Sequence, residues 1–162
     1  MSVFILEKIS KKFKVDKKEI CVLNDINLSF PDKGLVSIVG KSGCGKSTLL
    51  NLLMGVEKPT SGKILFKGRD ISKFNDKKFS RYHLGNASMI FQHYNLFNDL
   101  TSFENVALPC KMIGVSKRRY SKRITEIFSN LNITSLLKRK VGSLSGGEKQ
   151  RVAIARALIN KP

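Results

Sequence analysis

Apolar and polar residues alternate over residues 3–9 and again over 20–30, where Leu23, Ile26, Leu28 and Phe30 recur. This period predicts two antiparallel strands, joined by the lysine-rich stretch 14–19 as a turn. Residues 35–39 (LVSIV) are nearly unbroken in apolar character, the pattern of a strand buried on both faces. Glycines at 40, 43 and 45 end that run, and a helix is predicted from about Ser47 to Met54. A Pro-Thr-Ser-Gly turn at 59–62 precedes a short strand over 63–67. Residues 76–83 read as a polar helix, and 87–91 as a second short apolar strand ending at Gln92.

From residue 101 the texture becomes helical. Thr101 and Glu104 form a capping box that opens a helix running toward Ile113. Tyr120, Ile124, Ile127, Phe128 and Leu131 recur at helical spacing across 116–130. A last helix is predicted over about 146–160. No repeat, low-complexity segment or clear linker interrupts the chain.

The 162 residues suffice for one domain with a core, and 41% hydrophobic content is ordinary. The charge is not ordinary: 30 Lys+Arg oppose 12 Asp+Glu, a formal +18. Such a balance suits nucleic acid or an anionic membrane surface. It equally suits a lysine-rich background whose acidic residues lie further along, and the scatter of the lysines favours this second reading. The three cysteines, Cys21, Cys44 and Cys110, are far apart and form neither a metal-ligand spacing nor a disulfide framework. No apolar run reaches the ~18 residues of a membrane span.

Chemistry concentrates in two strings. Residues 40–48 read GKSGCGKST, a phosphate-binding loop placed between the apolar run and a helix. Its glycines let successive N–H groups converge on an anion, and the helix N-terminus adds partial positive charge. Gly40, Ser42, Gly43, Cys44, Gly45, Lys46, Ser47 and Thr48 are the candidate phosphate contacts. Lys46 is expected between the β- and γ-phosphates, Ser47 on Mg²⁺ and Thr48 near the α-phosphate. Cys44 has no histidine partner and is read as a small side chain that fits the loop.

Residues 144–151 read LSGGEKQR. Ser145 and Glu148 form a second capping box. Two glycines inside it exceed what helix initiation requires, and they expose N–H groups at another helix N-terminus. Ala153, Ala155 and Ala157 behind them permit close packing.

With these strings in order, the chain resembles the nucleotide-binding domain of ABC transporters over essentially its whole length. GKSGCGKST resembles the Walker A loop, LSGGEKQR the family signature, and VAIARAL at 152–158 its usual continuation. Gln92 corresponds to the Q-loop glutamine, and Phe13 in SKKF to the aromatic that stacks on adenine, with a core aromatic as the alternative reading. The stretches 50–72 and 91–109 resemble the branch that serves lipoprotein release, macrolide export and antimicrobial-peptide export.

The resemblance implies an α/β fold of the P-loop NTPase type, with an antiparallel β subdomain and a Walker A core over 1–92, a helical subdomain over 93–145 and the signature helix over 146–162. It implies ATP and Mg²⁺ as cofactors. Lys46 and Gln92 would serve catalysis, with Ser47 and Gln92 at the metal. Ser145, Gly146 and Gly147 would reach the γ-phosphate held by a second domain in a head-to-tail dimer. It further implies an integral-membrane permease as partner, no direct nucleic-acid contact, and a place on the cytoplasmic face of the membrane. The alternatives are a family member acting on nucleic acid or ribosomes, or a non-hydrolysing remnant.

The family's Asp-Glu strand, D-loop and switch histidine belong after the signature helix, beyond Pro162. His83 and His93 lie too early for the last role, and Glu148 belongs to the signature. The expectation is that the C-terminal part of the core sheet is missing. The strand at 35–39 would then lack parallel neighbours, and the isolated 162-residue chain would be poorly stable and hydrolyse ATP negligibly.

Overall fold

The structure is a computed structural model. It describes residues 2–162 except Lys17, and except the side chains of Arg81 and Leu84. It resolves into two compact units that divide between Ser80 and Arg81. The boundary expected between 92 and 93 falls inside the second unit.

The first unit is built on a four-stranded antiparallel sheet. Strands β1 (Ser2–Val15), β2 (Lys18–Pro31), β3 (Ser61–Phe66) and β4 (Arg69–Asp70) lie in the order β2-β1-β3-β4. β1 and β2 are longer than the alternation suggested, because Val15 already pairs with Lys18 and Lys14 with Glu19. The broad turn expected over 14–19 is therefore mostly ladder.

A break in the alternation shapes β1. Leu6 and Ile9 are both fully buried although three residues apart, which a regular strand would place on opposite faces. The register shifts between them, and Lys8 takes a positive φ of 50° there. This irregularity returns Ile9 to the core side. The Lys8 N–H donates to the Asn27 side-chain oxygen at 2.8 Å, so the irregular backbone keeps a partner.

Helix α1 (Lys46–Leu53) buries Leu49, Leu52 and Leu53. Together with Leu6, Ile9, Leu23, Ile64, Phe66, Ile71 and Phe79 they make the core of this unit. Helix α2 (Asp76–Gly85) crosses the division between the units.

The second unit is helical. α3 (Ser102–Met112), α4 (Lys117–Asn130) and α5 (Gly146–Leu158) surround a core that includes Val106, Tyr120, Ile124, Phe128, Ile133, Val141, Val152, Ala155 and Ile159. Both capping boxes form as the sequence predicts: Thr101 with Glu104, and Ser145 with Glu148.

Two strand expectations are not met. Residues 35–39 form no strand, and Leu35 and Val39 are 95% and 87% exposed. A strand exists only through its ladder, and among the described residues no neighbour pairs with this segment. Residues 87–91 likewise lack strand pairing and run as irregular chain into a turn at Gln92. None of the five is buried, Ile90 is 48% exposed, and among the described residues no adjacent strand supplies hydrogen bonds.

Candidate nucleotide-binding site

The glycine loop lies in the first unit, between the unpaired segment and α1. Gly45 is the N-cap of α1, with φ 94°. A Cβ there would stand 2.9 Å from the Leu23 side chain and 3.2 Å from the Val22 carbonyl of β2. The position therefore needs glycine for its backbone angle and for its closeness to the sheet. Gly43, at φ 80°, meets nothing within 4 Å and needs glycine for conformation alone.

The N-terminus of α1 has no side-chain cap and no acidic residue in its first turn. Its leading N–H groups are thus left to a partner that no side chain of the cap provides. Lys46 folds its ammonium back over the loop and donates to the Gly40 carbonyl at 2.9 Å and the Lys41 carbonyl at 2.7 Å. Its nitrogen stands 3.8 Å from the Cys44 sulfur. Residues 40–44 and Ser47 are exposed, while Thr48 is half-buried. A helix N-terminus without a side-chain cap, glycine backbone and one lysine ammonium form a fitting receptacle for a chain of phosphates. Binding would require Lys46 to exchange two carbonyls for phosphate oxygens.

Phe13 lies on β1 opposite Ile20, half-buried, with the Lys11 ammonium 4.8 Å from its ring centroid. Lys11 is held there by Glu57 at 2.8 Å and by the Lys58 carbonyl at 2.8 Å.

The other candidate residues lie in the second unit. Gln92 is exposed in its turn. The chain leaves that turn through Tyr94 and Asn95, both at positive φ (62° and 47°). Arg156 of α5 donates to the carbonyls of both, at 2.7 and 2.6 Å. On the other flank, the Ser88 hydroxyl donates to the Ala157 carbonyl at 2.8 Å. The last turns of the signature helix therefore hold the Gln92 loop from both sides.

At the opposite end of α5, the Ser145 hydroxyl accepts from the Glu148 N–H at 3.4 Å and donates to its carboxylate at 2.9 Å. The carboxylate also accepts from the Ser145 N–H at 2.8 Å. These bonds, the backbone one foremost, hold the Glu148 carboxyl below the usual carboxylate range, with Arg139 and Arg151 adding to the effect. A carboxylate so engaged serves the cap of α5.

The two signature glycines differ from those of the phosphate loop. Neither has a positive φ, and a Cβ on Gly147 would meet nothing within 4 Å. On Gly146 the nearest atom would be the Tyr94 hydroxyl, at 3.7 Å. Nothing inside the chain calls for glycine at either position, although glycine weakens a helix relative to alanine.

Sequence reasoning missed three residues that organise this region: Ser88, Arg156 and the buried Asn105. The Asn105 amide donates to the carbonyls of Phe97, Leu100 and Thr101, and its oxygen accepts from the Phe97 N–H at 2.8 Å. A polar residue one turn into an otherwise apolar helix face was the available signal for Asn105. Ser88 and Arg156 left none, because their partners are main-chain carbonyls with no residue type to match.

The loop and the uncapped α1 define a P-loop nucleotide-binding protein. Comparison with known proteins narrows the class. The family model described as "ABC transporter" matches residues 23–162. The lipoprotein-releasing system ATP-binding protein LolD of Wigglesworthia glossinidia brevipalpis is 41% identical over 157 residues, covering 96% of this chain and 68% of LolD. The methionine import ATP-binding protein MetN of Cutibacterium acnes is 40% identical over 158 residues, covering 98% of this chain and 43% of MetN. Among solved structures, the dimeric bacterial ABC transporter cassette MJ0796 superposes with a TM-score of 0.92 at 34% identity, covering 98% of this chain and 70% of that one. The same cassette is also known as a post-hydrolysis dimer bound to ADP and Pi, with the same TM-score. The chain belongs to the ABC transporter family, whose ATP-binding subunits are ATPases.

Proposed function

We propose that this chain is the ATP-hydrolysing subunit of a membrane transporter and works as a head-to-tail pair. In that pair Ser145, Gly146 and Gly147 of one copy close over the phosphates held by Lys46, Ser47 and Thr48 of the other. The observation that carries the reading is Gly147: bare, helical, exposed and uncrowded, it leaves room for something arriving from outside the chain. The dimeric MJ0796 cassettes support the pairing.

In this reading Ser47 and Gln92 would offer oxygens to Mg²⁺, whose chemistry would be to neutralise phosphate charge. Gly40, Ser42, Gly43, Cys44 and Gly45 supply loop backbone to the phosphates, and Phe13 offers its ring to the base. The partner in the membrane is a permease, reached near the exposed Phe97, which Asn105 holds in place. The subunit then sits peripherally on the cytoplasmic face. No helix among the described residues is long and apolar enough to cross a membrane.

The cargo is a lipoprotein, peptide or drug that is exported or extracted, supported by the likeness to LolD. Import is the second reading, favoured by MetN relatives of nearly equal identity.

A mixing experiment tests the shared site. Full-length Lys46→Ala and Gly147→Ala variants are each expected to lack ATPase activity. When mixed, each heterodimer keeps one intact composite site, so activity returns. Mixtures as inactive as the separate variants would overturn the head-to-tail reading.

A further inference from the structure

The corner between α3 and α4 carries features that neither the fold nor the nucleotide site uses. Gly114, at φ 73°, reverses the chain there, and its N–H donates to the Lys111 carbonyl at 3.1 Å. Val115 turns inward and packs against the helical core. Met112 and Ile113 do not: they are 81% and 40% exposed at the corner.

Around this apolar tip the charge has one sign. No Asp or Glu occurs between Glu104 and Glu126, while Lys111, Lys117, Arg118, Arg119, Lys122 and Arg123 do. Arg123 is turned to the protein and donates to the Leu158 carbonyl at 2.8 Å. The other five are exposed, and among the described residues none is in an ion pair.

Three of these cations, Lys117, Arg118 and Arg119, form the first turn of α4, which contains no acidic residue. That turn already carries the positive end of the helix dipole, so cations there oppose helix stability. Ser116 makes no capping bond to offset them. Where local choices run against the fold, an external role is the natural explanation.

We propose that the α3–α4 corner binds directly to an anionic phospholipid surface, with Met112 and Ile113 entering the headgroup boundary and the five cations facing acidic headgroups. Cationic residues around exposed aliphatic side chains are the pattern of interfacial membrane contact. Single-stranded nucleic acid fits less well, because it is held by exposed aromatic rings that stack on bases. Here Tyr120 is buried in the core and Phe103 packs against it. The residues of this contact are none of those assigned above to nucleotide or permease.

The test is co-sedimentation of the purified full-length protein with extruded vesicles, without permease or nucleotide. Vesicles of phosphatidylcholine with about one third phosphatidylglycerol should bind it, pure phosphatidylcholine should not, and raising salt from about 0.1 to 0.5 M should release it. The triple variant Lys117→Glu, Arg118→Glu, Arg119→Glu should bind at least about tenfold more weakly. Its reversed charges suit the helix N-terminus, so its melting temperature should not fall and the loss cannot be assigned to unfolding. Met112→Ser with Ile113→Ser should weaken binding about fivefold at unchanged charge, by removing apolar insertion. Lys46→Ala should bind as the parent does. Equal binding to both vesicle types, or a triple variant that binds normally, would overturn the proposal. So would a single-stranded RNA that outcompetes the acidic vesicles at the same salt.

Discussion

Gly147 and Gly45 show how one residue type serves opposite ends. Gly45 is required by the chain itself, through its φ of 94° and its packing on Val22 and Leu23. Gly45→Ala is expected to destabilise the protein by about 1–3 kcal/mol, read by chemical denaturation. Gly147 sits in regular helix with open space before it. Gly147→Ala should leave stability unchanged or raise it by up to about 1 kcal/mol, while ATPase activity of the full-length protein falls sharply. A melting temperature that drops with activity would show a structural role instead. Asn105 belongs with Gly45. Asn105→Leu removes four side-chain hydrogen bonds and leaves the Phe97 N–H without its acceptor, while the carbonyls of Phe97, Leu100 and Thr101 keep backbone donors, so a loss of about 1–3 kcal/mol is expected from denaturation curves.

At the scale of the element, α5 joins the signature glycines to the Gln92 loop. Its N-terminus presents the signature glycines, and its C-terminal turns hold the Gln92 loop through Arg156 and Ala157. Arg156→Lys keeps the charge but loses the fork that reaches two carbonyls at once. We expect it to lower kcat by about tenfold with little change in nucleotide affinity, since positioning of the loop rather than binding is affected. Comparing single-turnover rates with nucleotide titration separates the two. The cap of α5 also gives a pH dependence. The folded-state pKa of Glu148 is depressed, so its contribution is present above the unfolded carboxylate range and is lost as pH falls through the folded value. Glu148→Gln should therefore flatten the acid limb of a melting-temperature profile without creating a dependence near neutrality.

At the scale of the whole molecule, segment 35–39 is the element most at odds with its surroundings. Leu35 and Val39 lie open to solvent beside the phosphate loop, with no ladder among the described residues. Such an unpaired apolar segment is a template for association. The 162-residue chain by itself should self-associate in sedimentation velocity, and Leu35→Lys with Val39→Lys should reduce that association. The two motif strings were legible because each is a run of neighbouring residues, and neighbours are what a sequence displays. The helices and capping boxes were legible for the same reason: their bonds span three or four positions. Neither 35–39 nor 87–91 is a strand, because strandedness depends on a partner elsewhere, which periodicity does not report; for 35–39 the lack of parallel neighbours was itself expected.

The amino-acid sequence alone therefore determined the phosphate loop, the signature cap, the helical spacing of the second unit and the family to which the chain belongs. Each rests on residues close together in the chain. Only the tertiary structure decided that Lys8 breaks the β1 alternation, that Arg156 and Ser88 hold the Gln92 loop, and that Gly147 is uncrowded while Gly45 is not. Those outcomes depend on contacts between distant segments, often through main-chain carbonyls that every residue carries alike. Side-chain identity cannot announce such bonds in advance, because their partners and their spacing are set by folding.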